Sequence, residues 1–536
     1  MTAGAPTGLR NGGAAVVESL AAHGVDTVFG IPGTHNLELF RHLPAAGIRT
    51  ITTRHEQGAG YAADGYHQVS GRPGVVITTS GPAVFNVAAA AGTAWAESRA
   101  LLIISPGLPA GTDGGDAGQL HETKNASGAM NEIVAWSRRV GSPDEAARAV
   151  TDAFAFFTAG RPRPVHIEVP LDVLEQPWTG APVVTGVPVP AVPPATALAA
   201  AAAALAGADR PVIVAGGGAR GTTAEIGDLA DRLGAPVITT TNGKGILAED
   251  HPLAIGASIR LRAAQKYLAS ADVTLVVGSE LGDSELWEGS VDTPTVIRLD
   301  VDPGQLDKNR AGQLHLLGDA AATLRRLVAA IPSPPGGSVT PAGSAERAAE
   351  LRRACDAEAV ADGGAAWRPV VQAVRRALPA GSSLVGDSSQ VTYLGAAHFF
   401  DTGAPGEFLY MAGFATLGYG LPAAIGAKLA DPDRAVAVLL GDGALMFSVQ
   451  EIVTAVEQRL PLPIVVVDNG GYAEIKDQQA RRGIPPIGVD LVTPDLPALA
   501  RACGAHGVEA ADPTEVTGLV RAALAADRPT LIRLAC

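Results

Sequence analysis

Two short runs of glycine, acidic and amide residues are the clearest candidates for chemistry in this sequence, because each directly follows an apolar, β-branched stretch. The first run is residues 441–443 (Gly-Asp-Gly) and the second is residues 468–472 (Asp-Asn-Gly-Gly-Tyr). Parallel strands place the loops at their carboxyl ends along one edge of a sheet, where α/β folds bind ligands. The Asp442 carboxylate and the Asn469 amide oxygen are hard ligands that suit Mg²⁺, and the flanking glycines let the backbone approach a diphosphate closely.

Four further segments hold polar residues at positions where a ligand could bind. They are residues 53–57 (TRHEQ), 81–86 (GPAVFN), 386–390 (GDSSQ) and 414–422 (FATLGYGLP). Small hydroxyl residues that follow a strand can hydrogen-bond a phosphate, although they are more often plain turn residues. A glutamate at a helix start, such as Glu56, usually complements the helix dipole. Taken singly, none of these segments specifies a function.

In their order along the chain, these segments resemble the thiamine diphosphate motifs of the acetolactate synthase and 2-oxo acid decarboxylase superfamily. By that resemblance, Asp442, Asn469 and the carbonyl group of Gly471 hold Mg²⁺. Two departures from the family pattern are visible, since Asp468 stands where many relatives have asparagine and Ala83 where they have glycine. The ligand positions themselves are intact, so the resemblance implies a complete metal site.

The resemblance also implies which residues contact the cofactor. The carboxyl group of Glu56 would hydrogen-bond the aminopyrimidine ring and favour its imino tautomer, whose nitrogen takes the proton from the thiazolium carbon. Leu417 matches the bulky apolar residue on which the cofactor folds into its V shape. The cofactor-binding residues predicted in this way are Glu56, Gly81, Asn86, Ser388, Ser389, Leu417, Gly441, Asp442, Gly443, Ala444, Asn469, Gly471 and Tyr472.

Several segments resemble, more narrowly, the 5-guanidino-2-oxopentanoate (2-ketoarginine) decarboxylases. These are residues 471–475 with residues 482–490, residues 120–122, and the GDSSQ segment. A guanidinium substrate requires a planar carboxylate partner that accepts paired hydrogen bonds. Glu474 and Asp387 are the candidate partners, because both are close in sequence to predicted cofactor-binding positions.

Two histidines and a threonine are candidates for the reacting centre. In relatives, the loop that corresponds to Thr34 and His35 faces the reacting carbon, so both residues are predicted substrate contacts. His35 or His121 could protonate that carbon after CO₂ leaves, although a lone histidine is more often structural. The paired histidines of pyruvate decarboxylases are missing from the corresponding loop, which argues against that subfamily.

Together these features predict a thiamine diphosphate- and Mg²⁺-dependent lyase that decarboxylates a 2-oxo acid through a thiazolium ylide and an enamine. The narrow hypothesis for the substrate is 5-guanidino-2-oxopentanoate. The alternative is an acetolactate synthase-like carboligase, which joins the enamine to a second carbonyl compound. A catalytically silent scaffold is disfavoured because Glu56, Asp442 and Asn469 are all present. FAD is not expected, since the central segment lacks a flavin signature, and no Gly-x-Gly-x-x-Gly motif follows a strand as a dinucleotide-dependent dehydrogenase would require.

The elements that must position these residues alternate short β-branched runs with longer Ala/Leu-rich helical stretches. Two segments rich in proline and glycine, 177–194 and 332–343, predict linkers, because proline neither continues a helix nor donates to a sheet. They divide the chain into an N-terminal pyrimidine-binding domain (1–176), a central domain (195–331) and a diphosphate-binding domain (345–536). The predicted fold class is therefore α/β, with three tandem doubly wound parallel-sheet domains. The predicted strands are 74–79, 101–104, 165–169, 212–215, 274–277, 296–299, 435–440, 464–467 and 530–534.

Composition and charge exclude several classes of partner. The 536 residues carry a net charge of −14, so neither nucleic acid nor an anionic membrane would attract the chain. The cysteines at 355, 503 and 536 lie far apart, which fits a reduced, cytoplasmic setting. No secretion signal is recognisable, and the longest apolar run, 197–206, predicts an alanine-rich helix too short to cross a bilayer. In the family the active site forms between the first domain of one subunit and the third of another, so the resemblance implies a homodimer or homotetramer.

Overall fold

Three six-stranded, all-parallel β-sheets form the framework of the protein. The structure is a computed structural model that describes residues 10–112, 114–186, 188–332 and 340–536. Helices alternate with the strands along the chain, as crossover connections between parallel strands require. The predicted fold class, three tandem α/β domains with parallel sheets, is confirmed.

The first sheet has the strand order β2-β1-β3-β4-β6-β5. Its strands are β1 Thr27–Gly30, β2 Arg49–Ile51, β3 Gly74–Ile77, β4 Leu101–Gly107, β5 Ser137–Arg139 and β6 Val165–Pro170. The helices of this part of the chain are α1 Gly12–Ala22, α2 Leu37–Phe40, α3 Glu56–Ser70, α4 Pro82–Asn86, α5 Ala88–Ala96, α6 Ala126–Asn131, α7 Pro143–Ala159 and α8 Leu171–Glu175. Strands β1, β3, β4 and β6 are buried along their whole length, which explains their continuous apolar sequence.

The second sheet has the strand order β12-β11-β10-β7-β8-β9. Its strands are β7 Pro211–Ala215, β8 Val237–Thr239, β9 Ala254–Gly256, β10 Val273–Val277, β11 Thr295–Asp300 and β12 Leu314–Leu317. The helices here are α9 Ala195–Ala206, α10 Thr223–Leu233, α11 Arg262–Ala269, α12 Asp283–Leu286 and α13 Ala320–Ala330. Helix α9 contains the predicted alanine-rich helix.

The third sheet has the strand order β14-β13-β15-β16-β18-β17. Its strands are β13 Ser383–Gly386, β14 Phe408–Leu409, β15 Val436–Gly441, β16 Pro463–Asp468, β17 His506–Ala510 and β18 Thr530–Ala535. The helices are α14 Ser344–Ala361, α15 Arg368–Ala377, α16 Ala397–Phe399, α17 Gly420–Ala430, α18 Asp442–Leu445, α19 Glu451–Glu457, α20 Ala473–Arg481, α21 Leu496–Ala502 and α22 Pro513–Leu524. Strands β15 and β16 are neighbours in parallel register, so the loops that follow them emerge at one edge of the sheet, as predicted.

All nine apolar runs predicted as strands are strands, with ends that differ by up to three residues. The described part of the linker 177–194 contains no helix or strand, and residues 333–339 of the second linker lie outside the described residues. The three-domain boundaries drawn from these linkers stay a prediction. None of the helices in the described ranges has both the length and the apolarity needed to span a bilayer.

The chain packs as two compact units. The first consists of the residues up to Pro188 together with Leu421–Asp433 and Ser448–Leu460, and the second contains the remainder of the chain. The first unit therefore includes most of α17 and all of α19, although both helices follow strands of the third sheet in sequence. Within this unit α3 and α17 touch through their backbones, since a Cβ atom added at Gly65 would lie 1.9 Å from the carbonyl oxygen of Ala423. Glycine is required there because any side chain would separate the two helices.

Candidate active site

Glu56 is the first residue of α3, and the loop before it fixes its position. His55 caps the helix, since its backbone is extended and its Nδ1 accepts the N–H of Gln57 at 3.1 Å. The Glu56 side chain is only 8% exposed, and its Oε2 accepts a hydrogen bond of 2.9 Å from Nδ2 of Asn86 in α4. The structure thus brings together two residues that the sequence places 30 positions apart, and Asn86 orients the Glu56 carboxyl group.

A second carboxylate, which the sequence did not reveal, holds the loop before Glu56. Glu451 of α19 is fully buried, and its two carboxyl oxygens lie 3.0 and 3.2 Å from the backbone nitrogen of Arg54, which donates to them. The Thr454 hydroxyl donates to the same carboxyl group at 2.6 Å. Burial raises the pKa of Glu451, and the bonds from Thr454 and the loop backbone act in the opposite direction. Glu457, one turn and a half further along α19, pairs with the Arg54 guanidinium at 2.5 Å. Helix α19 therefore anchors both the backbone and the side chain of the residue two positions before Glu56.

His35 and His121, the two predicted acids, are neighbours in the first unit. Their ring centroids are 5.1 Å apart, and the Ser80 hydroxyl lies between them, 2.6 Å from Nδ1 of His35 and 3.1 Å from Nδ1 of His121. Burial lowers the pKa of His35, and the charge of His121 lowers it further. Thr34 is exposed at the start of the same turn as His35. Ser80 was not predicted as a site residue, because a serine that follows a strand is usually interpreted as a turn residue.

Position 81, a predicted cofactor contact, must be glycine because its backbone approaches His121 closely. Its backbone has φ of +62°, and a Cβ atom there would lie 2.7 Å from both Cβ and the carbonyl oxygen of His121. His121 itself has φ of +63°, in the left-handed region. The position of the His121 ring therefore depends on glycine at position 81.

Asp442, Asn469 and Gly471 converge at the edge of the third sheet, in the second unit. The side-chain amide atom of Asn469 that faces this point lies 3.2 Å from Oδ1 of Asp442 and 3.0 Å from the carbonyl oxygen of Gly471. A nitrogen there would donate to both groups, whereas an oxygen completes a set of three oxygens. Octahedral Mg²⁺ with ligands at about 2.1 Å separates neighbouring ligand oxygens by about 3.0 Å. We assign the amide oxygen to this position, because this spacing and the all-oxygen donor set fit Mg²⁺.

Asp468, the residue before Asn469, is turned away from the three converging oxygens. Its Oδ2 accepts from Nε of Arg533 at 2.7 Å, and its Oδ1 accepts from the backbone nitrogen of Gly470 at 3.2 Å. Burial raises the pKa of Asp442, and the charge of Asp468 adds to that effect. Among the described residues no cluster of three or more His, Cys, Asp or Glu side chains suits a metal ion. The candidate magnesium site thus depends on one carboxylate, one amide and one carbonyl oxygen.

The predicted diphosphate-binding residues surround the same loops. The Ser389 hydroxyl oxygen accepts the backbone N–H of Gly441 at 2.9 Å, which links the GDSSQ segment to the start of α18. The Tyr472 ring lies against Gly443, because a Cβ atom there would be 2.9 Å from Cε1 of Tyr472. Ala444 follows in α18 and is buried. This arrangement leaves backbone and hydroxyl groups, rather than bulky side chains, beside the candidate magnesium site.

Asp387, a further residue predicted to contact the substrate, has a fully buried side chain, and its contact with the substrate stays a prediction. Its carboxylate accepts backbone hydrogen bonds from Ser388 at 2.7 Å, Gly418 at 3.2 Å and Gly420 at 2.7 Å, among others. Burial raises the pKa of Asp387 to about 6, and the backbone bonds act in the opposite direction. Through these bonds Asp387 ties residues 418–420 to the sheet, and so holds the partly exposed Leu417 beside them.

Glu474, the other candidate partner for a guanidinium group, faces a cavity of about 300 Å³ in the second unit. Its carboxylate accepts hydrogen bonds from Nε2 of Gln390 at 3.0 Å, the hydroxyl of Tyr393 at 3.1 Å and Nε2 of Gln478 at 3.0 Å. Burial by itself would raise the pKa of Glu474, but these hydrogen bonds outweigh it and the pKa is lowered. Oε1 of Glu474 also lies 3.3 Å from the guanidinium of the exposed Arg481, so Glu474 presents an ionised carboxylate to the cavity that is paired on its outer side.

The same cavity has an aromatic wall and a positive charge. Trp287 and Tyr393 lie with ring centroids 6.2 Å apart, and the Arg260 guanidinium carbon lies 4.2 Å from the centroid of the Trp287 ring. Arg260 also donates from Nε to Nε2 of His398 at 2.8 Å, and burial lowers its pKa to about 10. Ser388 lines this cavity, and its neighbour Ser389 bonds the loop of the candidate magnesium site. The cavity and the candidate magnesium site therefore share the GDSSQ segment as a common wall.

Three family models match the chain in succession: the N-terminal TPP binding domain of thiamine pyrophosphate enzymes at residues 10–128, their central domain at 198–327, and their C-terminal TPP binding domain at 387–534. A probable 2-ketoarginine decarboxylase of Pseudomonas aeruginosa is 41% identical over 528 residues, which cover 97% of this chain and 93% of the relative. A probable acetolactate synthase large subunit of Methanocaldococcus jannaschii is 31% identical over 547 residues, 97% and 91% of the two chains. The large subunit of acetolactate synthase isozyme 2 of Escherichia coli K12 is 30% identical over 534 residues, 98% and 95% of the two chains.

Proposed function

Because this chain belongs to the thiamine pyrophosphate enzyme family, we propose that it catalyses the Mg²⁺-dependent, non-oxidative decarboxylation of a 2-oxo acid with a guanidinium side chain, such as 5-guanidino-2-oxopentanoate. The observation that carries the substrate proposal is the hydrogen bond between Gln390 and Glu474. It joins the two segments whose sequences resemble 2-ketoarginine decarboxylases, GDSSQ and residues 471–475, in the wall of one cavity. The identity of 41% to a probable 2-ketoarginine decarboxylase supports the same substrate.

Different residues of the chain would have different roles in the reaction. Bound thiamine diphosphate supplies a nucleophilic carbon and an electron sink for the bond to CO₂. Glu56, oriented by Asn86, holds a proton at the aminopyrimidine ring. Asp442, Asn469 and the Gly471 carbonyl would hold Mg²⁺, which would neutralise charge on the diphosphate of the cofactor. His35 or His121 would supply the proton that takes the place of CO₂ in the product.

The charges of the cavity match a zwitterionic 2-oxo acid. Glu474 is held ionised by four side-chain donors, Gln390, Tyr393, Gln478 and the exposed Arg481, and its carboxyl oxygens can also accept from a planar guanidinium group of the substrate. The aromatic rings of Trp287 and Tyr393 suit a flat cation, because guanidinium groups stack on aromatic faces. Arg260 places the opposite charge in the same cavity, where it can attract a carboxylate.

We expect Glu474→Gln to reduce kcat/KM for 5-guanidino-2-oxopentanoate by about 10- to 100-fold, because a hydrogen bond to a charged group contributes about 1.5–3 kcal/mol. The same substitution leaves kcat/KM for 2-oxohexanoate, whose side chain is uncharged, within about threefold, since that acid has no guanidinium group to bind. Both constants are measured by CO₂ release with thiamine diphosphate and Mg²⁺.

Asp477→Asn is the matched control, because it removes an exposed charge from the same helix, α20, while the asparagine oxygen can still accept the 3.4 Å contact from Nε2 of Gln390. An equal loss for both acids in Glu474→Gln would reject the substrate-binding role of Glu474. Turnover of pyruvate to acetolactate, with no turnover of the guanidino acid, would favour the carboligase that the acetolactate synthase relatives suggest.

The assembly we propose is a homodimer or homotetramer in which Glu56 of one copy serves the magnesium site of another. Co-expressed Glu56→Gln and Asp442→Asn chains should then recover about a quarter of wild-type activity, because half of the twofold dimers are mixed and one of their two sites is intact. Activity is assayed on the purified mixture against each variant alone. Failure of the mixed enzyme to exceed either variant would place Glu56 and the metal in one chain.

A further inference from the structure

The Ser80 hydroxyl is the common hydrogen-bonding partner of the two candidate acids. Its Oγ lies 2.6 Å from Nδ1 of His35 and 3.1 Å from Nδ1 of His121, and both distances allow a hydrogen bond. Ser80 is 3% exposed, so bulk water does not replace these contacts. Ser80 and His121 also line a cavity of about 680 Å³ in the first unit, which gives the connected groups access to a small molecule.

A hydroxyl group has one proton, and this limits how the three residues can bond. Ser80 can donate to only one imidazole at a time, so the other imidazole must donate its own Nδ1–H to the Ser80 oxygen. The network therefore has a direction, and the direction reverses when the two protons shift together. The packing of His121 on Gly81 keeps the Nδ1 of that ring near the hydroxyl.

We propose that Ser80 relays a proton between His35 and His121, so that the two histidines act as one acid. In the relay His35 passes its Nδ1 proton to the Ser80 oxygen, and Ser80 passes its own hydroxyl proton to Nδ1 of His121. The N–H bond of His35 and the O–H bond of Ser80 break, an O–H and an N–H bond form, and the positive charge moves from one ring to the other. The reverse shift runs through the same atoms.

Through the relay, a proton held on one histidine can reach the reacting centre by way of the other histidine. It rests on the proposed function, since a decarboxylation in which CO₂ is replaced by hydrogen consumes one proton per turnover. Burial of His35, together with the charge of His121, lowers the pKa of His35. A protonated His35 therefore tends to give its proton away, and the Ser80 hydroxyl is the route that leads to His121.

The kinetic test is a double-mutant cycle between Ser80 and a histidine. Ser80→Ala should lower kcat by about 10- to 100-fold, in the range of a lost acid–base contribution. In a His35→Ala background the same Ser80→Ala change should lower kcat by less than about a further twofold. With only one histidine present, the hydroxyl no longer connects two imidazole rings. Ser80→Thr, which retains the hydroxyl group, should recover most of the lost kcat. Losses that multiply in the double variant, or a Ser80→Ala enzyme with wild-type kcat, would overturn the relay.

A second measurement needs neither substrate nor cofactor. In protein labelled with ¹³C,¹⁵N-histidine, the NMR signals of His35 and His121 report which ring nitrogen carries the proton, and single His→Asn variants assign them. Ser80→Ala should change the signals of both rings, and His35→Asn should change that of His121. Unchanged signals in Ser80→Ala would reject the relay. If the wild-type enzyme turns over no 2-oxo acid, the proposed function fails while these spectra still decide the relay.

Discussion

Glu56→Gln lowers kcat of the cofactor-loaded enzyme by about 10²- to 10⁴-fold, the range expected when a positioned acid–base group is lost. Glutamine has the shape of glutamate and its oxygen can still accept from Asn86 Nδ2, so the start of α3 remains folded. It cannot hold and return a proton at the aminopyrimidine ring. The effect should therefore appear in kcat, with the melting temperature within about 2 °C of wild type, since an unchanged fold implies less than about 1 kcal/mol of lost stability.

The measurement is steady-state decarboxylation at saturating thiamine diphosphate and Mg²⁺, together with a thermal melt of the same preparations. Glu346→Gln is the control, because Glu346 is an exposed carboxylate in the first turn of α14. A Glu56→Gln enzyme within about threefold of wild-type kcat would show that the carboxyl group has no acid–base role.

Asp442→Asn raises the Mg²⁺ concentration needed for half-maximal activity by about 100-fold or more. Even residues that only support metal ligands cost about 10- to 100-fold in metal affinity when changed, and Asp442 is the one carboxylate among the three proposed ligands. Asparagine retains an oxygen and can keep the hydrogen bond from the Thr493 hydroxyl, which now reaches Oδ2 of Asp442 at 3.1 Å. The loss of charge, rather than of shape, should therefore account for the effect.

The neighbouring carboxylate provides the matched control. Asp468 lies one residue before Asn469 but bonds Arg533 and the Gly470 backbone. Asp468→Asn should leave the Mg²⁺ requirement within about threefold of wild type, which is far below the 10- to 100-fold cost of disturbing a metal site. Activity is titrated with Mg²⁺ after EDTA treatment and desalting. A larger shift in Asp468→Asn than in Asp442→Asn would mean that the ligand has been assigned to the wrong loop.

Features that depend on neighbouring residues in the chain could be read from the sequence. The buried strands β15 and β16 are continuous β-branched runs, and burial on both faces of a parallel sheet requires that composition. The loops that follow them meet because adjacent parallel strands end at one edge. Glu56 was predicted at the start of a helix, and α3 begins at that residue. In each case the physical cause lies within a few residues of the effect.

The surroundings of Asp387 show where such inference ends. The sequence places a carboxylate beside a phosphate-binding segment, and that placement is compatible with a side chain facing either the substrate or the interior. The structure turns it inward, because the backbone N–H groups of Gly418 and Gly420 need an acceptor in a buried position. The partners of Asp387 are about 30 residues away in the chain, so no local sequence pattern indicates them.

Long-range packing also decided what surrounds the predicted catalytic groups. Glu451 reaches the loop before Glu56 from 397 residues further along the chain, and in sequence it reads as an ordinary residue of an amphipathic helix. Ser80 joins His35 and His121 across separations of 45 and 41 residues. The sequence alone determined the fold class, the cofactor motifs and the order of the strands along the chain. Only the tertiary structure decided which buried polar groups satisfy one another, because hydrogen-bond partners are selected by distance in space, and the folding of the whole chain sets that distance.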